Sequence, residues 1–270
     1  MINTVLMAEV KRWIRDTMRV PISEMRDGVI PVVAADSEAI NEPLRAVKLE
    51  NKTVLIARED WVDALRKVVS TLHPDILFST FGAYELARIT LPEGVSIWGP
   101  EYYLFGDEST VNSVANDHVQ HIKPDDLGDF DYSIFWHCYP NAQAGFVVLD
   151  KGQVLALATV RNHGDPFWEI GMDVTPNARR NGLGKAVVET AARWILEQGK
   201  LIVASAAPFN SPSLRTLRSV GLNYVFTTMR SSEMPMKIFP QQLGVPLPNI
   251  PLYNYYPDWA MNDSILPRKN

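Results

Sequence analysis

Residues 179–185 read Arg-Arg-Asn-Gly-Leu-Gly-Lys, and the apolar spacing over 183–197 predicts a helix that starts inside them. Gly182 and Gly184 leave backbone N–H groups uncovered, Arg179, Arg180 and Lys185 flank them, and a helix start adds partial positive charge. Such a loop can hold a pyrophosphate. A Walker loop would need Gly where Arg179 stands and Ser or Thr where Ala186 stands, so a nucleotide triphosphatase is disfavoured, and no Rossmann glycine triplet is present. The strand predicted at 167–174 carries two acids. Alternation puts Trp168, Ile170, Met172 and Val174 on one face and Glu169, Gly171 and Asp173 on the other, one face for a core and one for a cleft. Four residues of strand separate Glu169 from Asp173 by roughly 13 Å, too far to share a proton. His137 and Cys138, adjacent in an extended run, point to opposite faces, as do His118 and His121, so neither a Cys/His nucleophile pair nor a metal site is expected. His163 reads as a loop histidine.

Those residues need a scaffold, and the chain is long enough to build one. With 270 residues, 46% hydrophobic and 21% charged, it reads as a globular protein of two domains with packed cores. A net charge of -5 without a basic block argues against a large nucleic-acid footprint. No apolar run approaches the ~20 residues that cross a bilayer. Charged residues among the first twenty exclude a signal peptide there, and the single Cys138 cannot form an internal disulfide, so the expected compartment is the cytoplasm.

The second half, 117–230, predicts a strand at 118–122, a hairpin of 145–149 with 154–160, the strand 167–174, the helix 183–197, a buried strand at 201–206, a helix begun by Ser211 and Pro212, and a strand after Gly221. The first half, 1–116, predicts a helix over 3–18, a strand at 29–35, a hairpin of 46–50 with 53–57, a helix over 60–72, a short strand at 76–79 and a short helix at 84–89, after which Pro92, Gly94, Gly99 and Pro100 break the chain into turns. The last segment, 231–270, holds seven prolines with Tyr253, Tyr255, Tyr256 and Trp259, and reads as an ordered, packed tail.

From about residue 117 to 230 the chain resembles the GNAT superfamily of N-acetyltransferases. The Arg-x-x-Gly-x-Gly loop follows a strand ending at Val174 and Pro176, and Asn210, Ser213 and Gly221 are similar to the family's later Asn, small residue and Gly run. The resemblance implies a splayed mixed sheet with flanking helices, an α/β fold, in which a V-shaped gap admits the thioester of acetyl-CoA. It implies that Met172, Asp173 and Val174 line that gap, that Arg179, Arg180, Asn181, Gly182, Leu183, Gly184 and Lys185 hold the pyrophosphate, and that Asn210 and Ser213 join the cofactor site. The first half, with a similar element order, is expected to be a degenerate GNAT-like copy without the phosphate loop.

The implied reaction moves acetyl from acetyl-CoA to an amine of a small molecule by direct attack on the thioester, with no metal. An alkyl amine, with pKa near 10, must first lose a proton, and Glu169 on the cleft face is placed to take it. Many relatives protonate the departing thiolate with a Tyr seven residues after the Asn; here that position is Leu217, which leaves Ser213, Tyr224, a tail tyrosine or water. Two other readings stay open: a non-catalytic acyl-CoA-binding or interaction module, and acetylation of a protein N-terminus or lysine. No partner in nucleic acid or membrane is expected, and the oligomeric state is open.

Overall fold

The computed structural model describes residues 2–35, 42–111 and 116–233. Helix α1 (Thr4–Asp16) begins where the Asn3 side chain accepts from the Leu6 N–H, and it buries Leu6, Val10, Trp13 and Ile14 on one stripe. After it come β1 (Arg26–Asp27), β2 (Val32–Ala34), the hairpin β3 (Leu44–Leu49) and β4 (Lys52–Ala57), then α2 (Val62–Val69), α3 (Pro74–Leu77), α4 (Thr80–Thr90) and the long β5 (Val95–Gly106). The second half comprises β6 (Gln120–Ile122), β7 (Ala144–Asp150), β8 (Gln153–Asn162), β9 (Phe167–Val174), α5 (Leu183–Glu197), β10 (Leu201–Ala206), α6 (Ser211–Val220) and β11 (Asn223–Glu233).

Both halves are α/β, and their strands form one 11-stranded sheet in the order β1-β4-β3-β11-β5-β10-β9-β8-β7-β6, with β2 beside β4. The sheet crosses the expected division at 116/117. β5, from the first half, pairs antiparallel with β10 and β11 of the second, while β11 pairs antiparallel with β3 of the first. Each half therefore hands its last strand to the other. Alternation sorts the cores: Leu104, Ile202 and Ala204 face α5 and α6, Ala46, Leu55 and Met229 face α2 and α4 on the same side, and Phe105, Phe167, Val203 and Phe226 face α1 on the opposite side.

The sheet is splayed at β9. That strand pairs parallel with β10 only at Phe167, Trp168 and Glu169, against Leu201, Ile202 and Val203. Beyond them residues 170–174 stay with β8 and residues 204–206 stay with β5, so a gap opens between β9 and β10. This is the mixed, splayed sheet with flanking helices expected of the second half.

Two expectations are corrected. Residues 76–79 do not form a strand: Pro74 occupies the first turn of α3, and the His73 side chain accepts from the Asp75 N–H to cap it. Residues 95–106 are not a set of turns but the central strand β5. Gly99 and Pro100 sit where the register slips, between the pairs Arg230–Trp98 and Thr228–Glu101, so an irregularity absorbs the proline that a regular ladder would reject. The expected tail lies outside the described residues from 234 onward, while residues 231–233 complete β11.

Candidate active site

The 179–185 loop follows a single helical turn at Pro176–Ala178 and runs into α5 at the open end of the gap. Arg180 and Gly182 have φ of 66° and 77°, left-handed conformations that turn the chain into the helix, and glycine supplies the second without a Cβ penalty. No side chain caps α5 and no acid stands in its first turn, so the first backbone N–H groups face outward beside the exposed Arg179, Arg180 and Lys185. Arg179 Nε reaches the Val174 carbonyl at 3.4 Å, and Lys185 pairs with Glu189 at 3.4 Å one turn on. Gly184 holds the helix start against the strand: a Cβ there would lie 3.2 Å from Val174 and 3.3 Å from Met172. The loop, Met172 and Val174 thus form one unit. Asn181 and Leu183 belong to the same turn; Asn210 instead caps α6, its side chain accepting from the Ser213 N–H at 3.3 Å.

Across the gap, on the α1 face, lies a cavity of about 350 Å³. Its floor is a row of side chains on five strands: Arg161 from β8, Glu169 from β9, Ser205 from β10, Glu101 and Tyr103 from β5, Thr228 and Arg230 from β11, with Arg45 of β3 beyond. Trp13, Thr17 and Met18 roof it. Glu169 is only 6% exposed, far from a solvated strand carboxylate. Its Oε2 accepts from Arg161, whose guanidinium also stacks 3.8 Å from the centre of the Tyr139 ring, and Tyr139 Oη and His163 Nδ1 stand 3.5 and 3.8 Å from the same oxygen. Burial pulls the His163 imidazole below its ordinary value even with that carboxylate beside it.

Glu101 has fewer partners. Ser205 donates to its Oε1 at 2.9 Å, and Arg230 Nε stands 3.9 Å from Oε2. Burial pushes this carboxyl above the usual carboxylate range, and Glu169 and Glu42 add to the rise while Arg230 and Ser205 oppose it. The same burial holds the Tyr103 hydroxyl well above its ordinary value.

Asp173, on the Glu169 face, is taken up otherwise: its carboxylate accepts from the His137 N–H at 2.7 Å and meets His137 Nδ1 at 2.6 Å. Gly171 makes room for this strap, since a Cβ would sit 2.0 Å from the His137 carbonyl oxygen. Asp173 therefore anchors residues 137–139, and the strap delivers Tyr139 to the cavity. Cys138 is buried, its thiol reaching the Leu157 carbonyl at 3.3 Å, and burial raises it well above the ordinary thiol range. Leu217 packs in the core, and Tyr224 is half exposed with its hydroxyl 2.6 Å from Thr227. Among the described residues no three His, Cys, Asp or Glu side chains form a group that could hold a metal ion, and no helix is long and apolar enough to cross a membrane.

Sequence reasoning names the loop and Glu169 as candidates but not Glu101, Tyr139, Arg161 or Arg230, which line the cavity beside Glu169. Arg161 stands opposite Glu169 because Asn162 pairs with Trp168 across residues 163–167, a register that loop length read from the sequence misses by one residue. Glu101 carries no such signal, because the sequence of its strand reads as turns.

Residues 112–222 match the Acetyltransferase (GNAT) family. Among curated proteins nothing matches the chain. Among solved structures the chain is similar to an acetyltransferase from the GNAT family of Colwellia psychrerythraea, with 15% identity over 55% of this chain and 61% of that one and a TM-score of 0.42. It is similar to a GCN5-related N-acetyltransferase from Kribbella flavida, with 17% identity over 56% and 64% of the two chains and a TM-score of 0.43. A GCN5-related N-acetyltransferase-like protein from Streptococcus suis matches over 83% of this chain and 99% of its own, at 14% identity and a TM-score of 0.45. The match spans less than two thirds of the first two of these chains.

Proposed function

We propose, taking as premise the GNAT acetyltransferase domain of the second half, that the protein transfers acetyl from acetyl-CoA to the amine of a small molecule. The observation that carries this reading is the separation of β9 from β10 after the Glu169–Val203 pair, with the uncapped start of α5 at one end of the gap and the charged cavity beside it. The pyrophosphate binds the backbone N–H groups and basic side chains of residues 179–185. The gap admits the pantetheine arm between Met172–Val174 and β10, and main-chain N–H groups of that stretch face the developing oxyanion. The cavity holds the acceptor, with its amine among the carboxylates, and proximity to the thioester converts a bimolecular attack into one within a complex. A buried carboxylate of the cavity, which Glu169 and Glu101 both line, takes the amine proton.

A cavity of about 350 Å³ suits a small acceptor better than a folded protein surface. The test is a panel of small amines with detection of released CoA thiol, run beside peptides with free N-termini and lysines. Turnover confined to small amines is the expected result. Acetyl-CoA binding by calorimetry without turnover of any amine would favour the non-catalytic binding module, and turnover confined to peptides would favour the protein-modifying alternative.

A further inference from the structure

We propose that Glu101, carried by β5 of the first half, is the carboxylate that takes the proton from the acceptor amine. This rests on the acetyl-transfer reading and assigns the base to a strand outside the GNAT domain. Three relationships point to it. First, Glu101 stands at the gap: Ser205, which donates to it at 2.9 Å, lies on the part of β10 that β9 has left, two residues beyond Val203, the last residue of β10 paired to β9. Second, Glu101 is the less engaged of the two cavity acids. Glu169 is held by Arg161 with Tyr139 and His163 alongside, whereas Glu101 accepts from Ser205 and has its nearest guanidinium 3.9 Å away. Third, its side chain is 19% exposed, and that exposure opens into the cavity.

A carboxylate held this way can take a proton at neutral pH. Burial raises its proton affinity above that of an exposed glutamate, in the direction that suits a general base working near pH 7. The charged and titratable groups that face it are Arg230 from β11, Glu42 and Arg45 at the start of β3, Glu169 from β9 and Tyr103 on its own strand. Arg161, Tyr139 and His163 line the far side of the same cavity, and the end of α1 brings no titratable side chain to it among the described residues. In the transfer step the ammonium gives one proton to Glu101, leaving a neutral amine and a carboxylic acid. The nitrogen lone pair forms the C–N bond to the thioester carbonyl carbon, the C–S bond breaks, and the sulfur leaves as thiolate. The second proton on nitrogen passes to that thiolate, and Glu101 returns its own to water.

The experiment measures thiol release by the full chain, wild type, E101Q and E101D, with the best amine of the panel from about pH 6 to about pH 10, beside calorimetric CoA affinity. The expected E101Q result is a kcat lower by about 10²-fold near neutral pH, a deficit that shrinks toward the amine pKa where free amine needs no base, and an unchanged Kd for CoA. A kcat within about threefold of wild type, or a deficit equal at every pH, overturns the assignment. Should E101Q fail to fold, E101D decides: a kcat reduced by about tenfold with the same acid limb supports Glu101, and an unchanged kcat overturns it. If the wild type releases no more thiol with any amine than without one, the acetyl-transfer reading falls and this assignment falls with it; if the wild type is active and E101Q equally so, only Glu101 is wrong.

Discussion

Trp13 in α1 donates its indole N–H to the main-chain carbonyl of His163, 150 residues further along the chain, at 2.8 Å. The same ring meets Tyr103, Phe105, Phe167 and Phe226 at centroid distances of 5.9–6.3 Å, so one side chain closes α1 onto strands of both halves. Trp13→Ala should cost about 3–5 kcal/mol, from the cavity it leaves and the lost hydrogen bond. Chemical denaturation measures it, and a cost below about 1 kcal/mol would mean that α1 is only loosely attached.

Gly182→Asp and Gly184→Asp separate binding from folding. Nothing lies within 4 Å of a Cβ at Gly182, and Asp tolerates its left-handed φ better than most residues, so the first variant should stay folded while placing an anion where the pyrophosphate is expected. At Gly184 the new side chain also meets Val174 and Met172. CoA affinity should fall by about tenfold or more in both, read by calorimetry. Unchanged affinity in folded protein would remove the loop from the cofactor site.

Glu169→Gln keeps the shape of the side chain and removes the charge that pairs with Arg161. The guanidinium left unpaired in the cavity should lower turnover by about tenfold at every pH, with CoA affinity retained. A rate equal to wild type at every pH would show that the Arg161–Glu169 pair does not bear on turnover.

Glu101 should make stability depend on pH. Burial raises its pKa in the folded protein above the unfolded value near 4.5, so the folded state holds this proton more tightly. That contribution is complete below the unfolded pKa and is lost as pH rises through the folded one. Glu101→Gln carries no such penalty, so the variant should gain in melting temperature relative to wild type at neutral pH and gain less near pH 4. An identical difference at both pH values would mean that Glu101 titrates as it does in the unfolded chain.

Cys138 is buried with its thiol pushed well above the ordinary range, so an alkylating reagent should label it only after denaturation. Rapid labelling of the native protein would show that the 137–139 strap opens readily.

The loop at 179–185 is legible in the sequence because its chemistry is local: residue types, glycine spacing and a helix start are all written within seven positions. Glu169 is legible through alternation. Glu101 is not, since its role depends on β5 lying between β10 and β11, and Gly99 and Pro100 disguise that strand. The same limit applies to Asp173: alternation gives its face, while its partner, His137, comes from a segment without periodicity. Short-range pattern gives the elements; which strand sits beside which is decided by burial between segments far apart in the chain.

The exchange of last strands also governs the order in which the molecule can be finished. The Leu44 N–H donates to the Ser231 hydroxyl across 187 residues, because β11 fills a slot between β3 and β5. A ribosome releases β11 after every other strand of the sheet, at about 5–20 residues per second, so until then the nascent chain carries two facing, unpaired edges at its centre. Such edges invite pairing with other chains, and contacts this distant in sequence form slowly. The middle of the sheet, which holds Glu101 and Arg230, is therefore the last part of the described sheet to be completed.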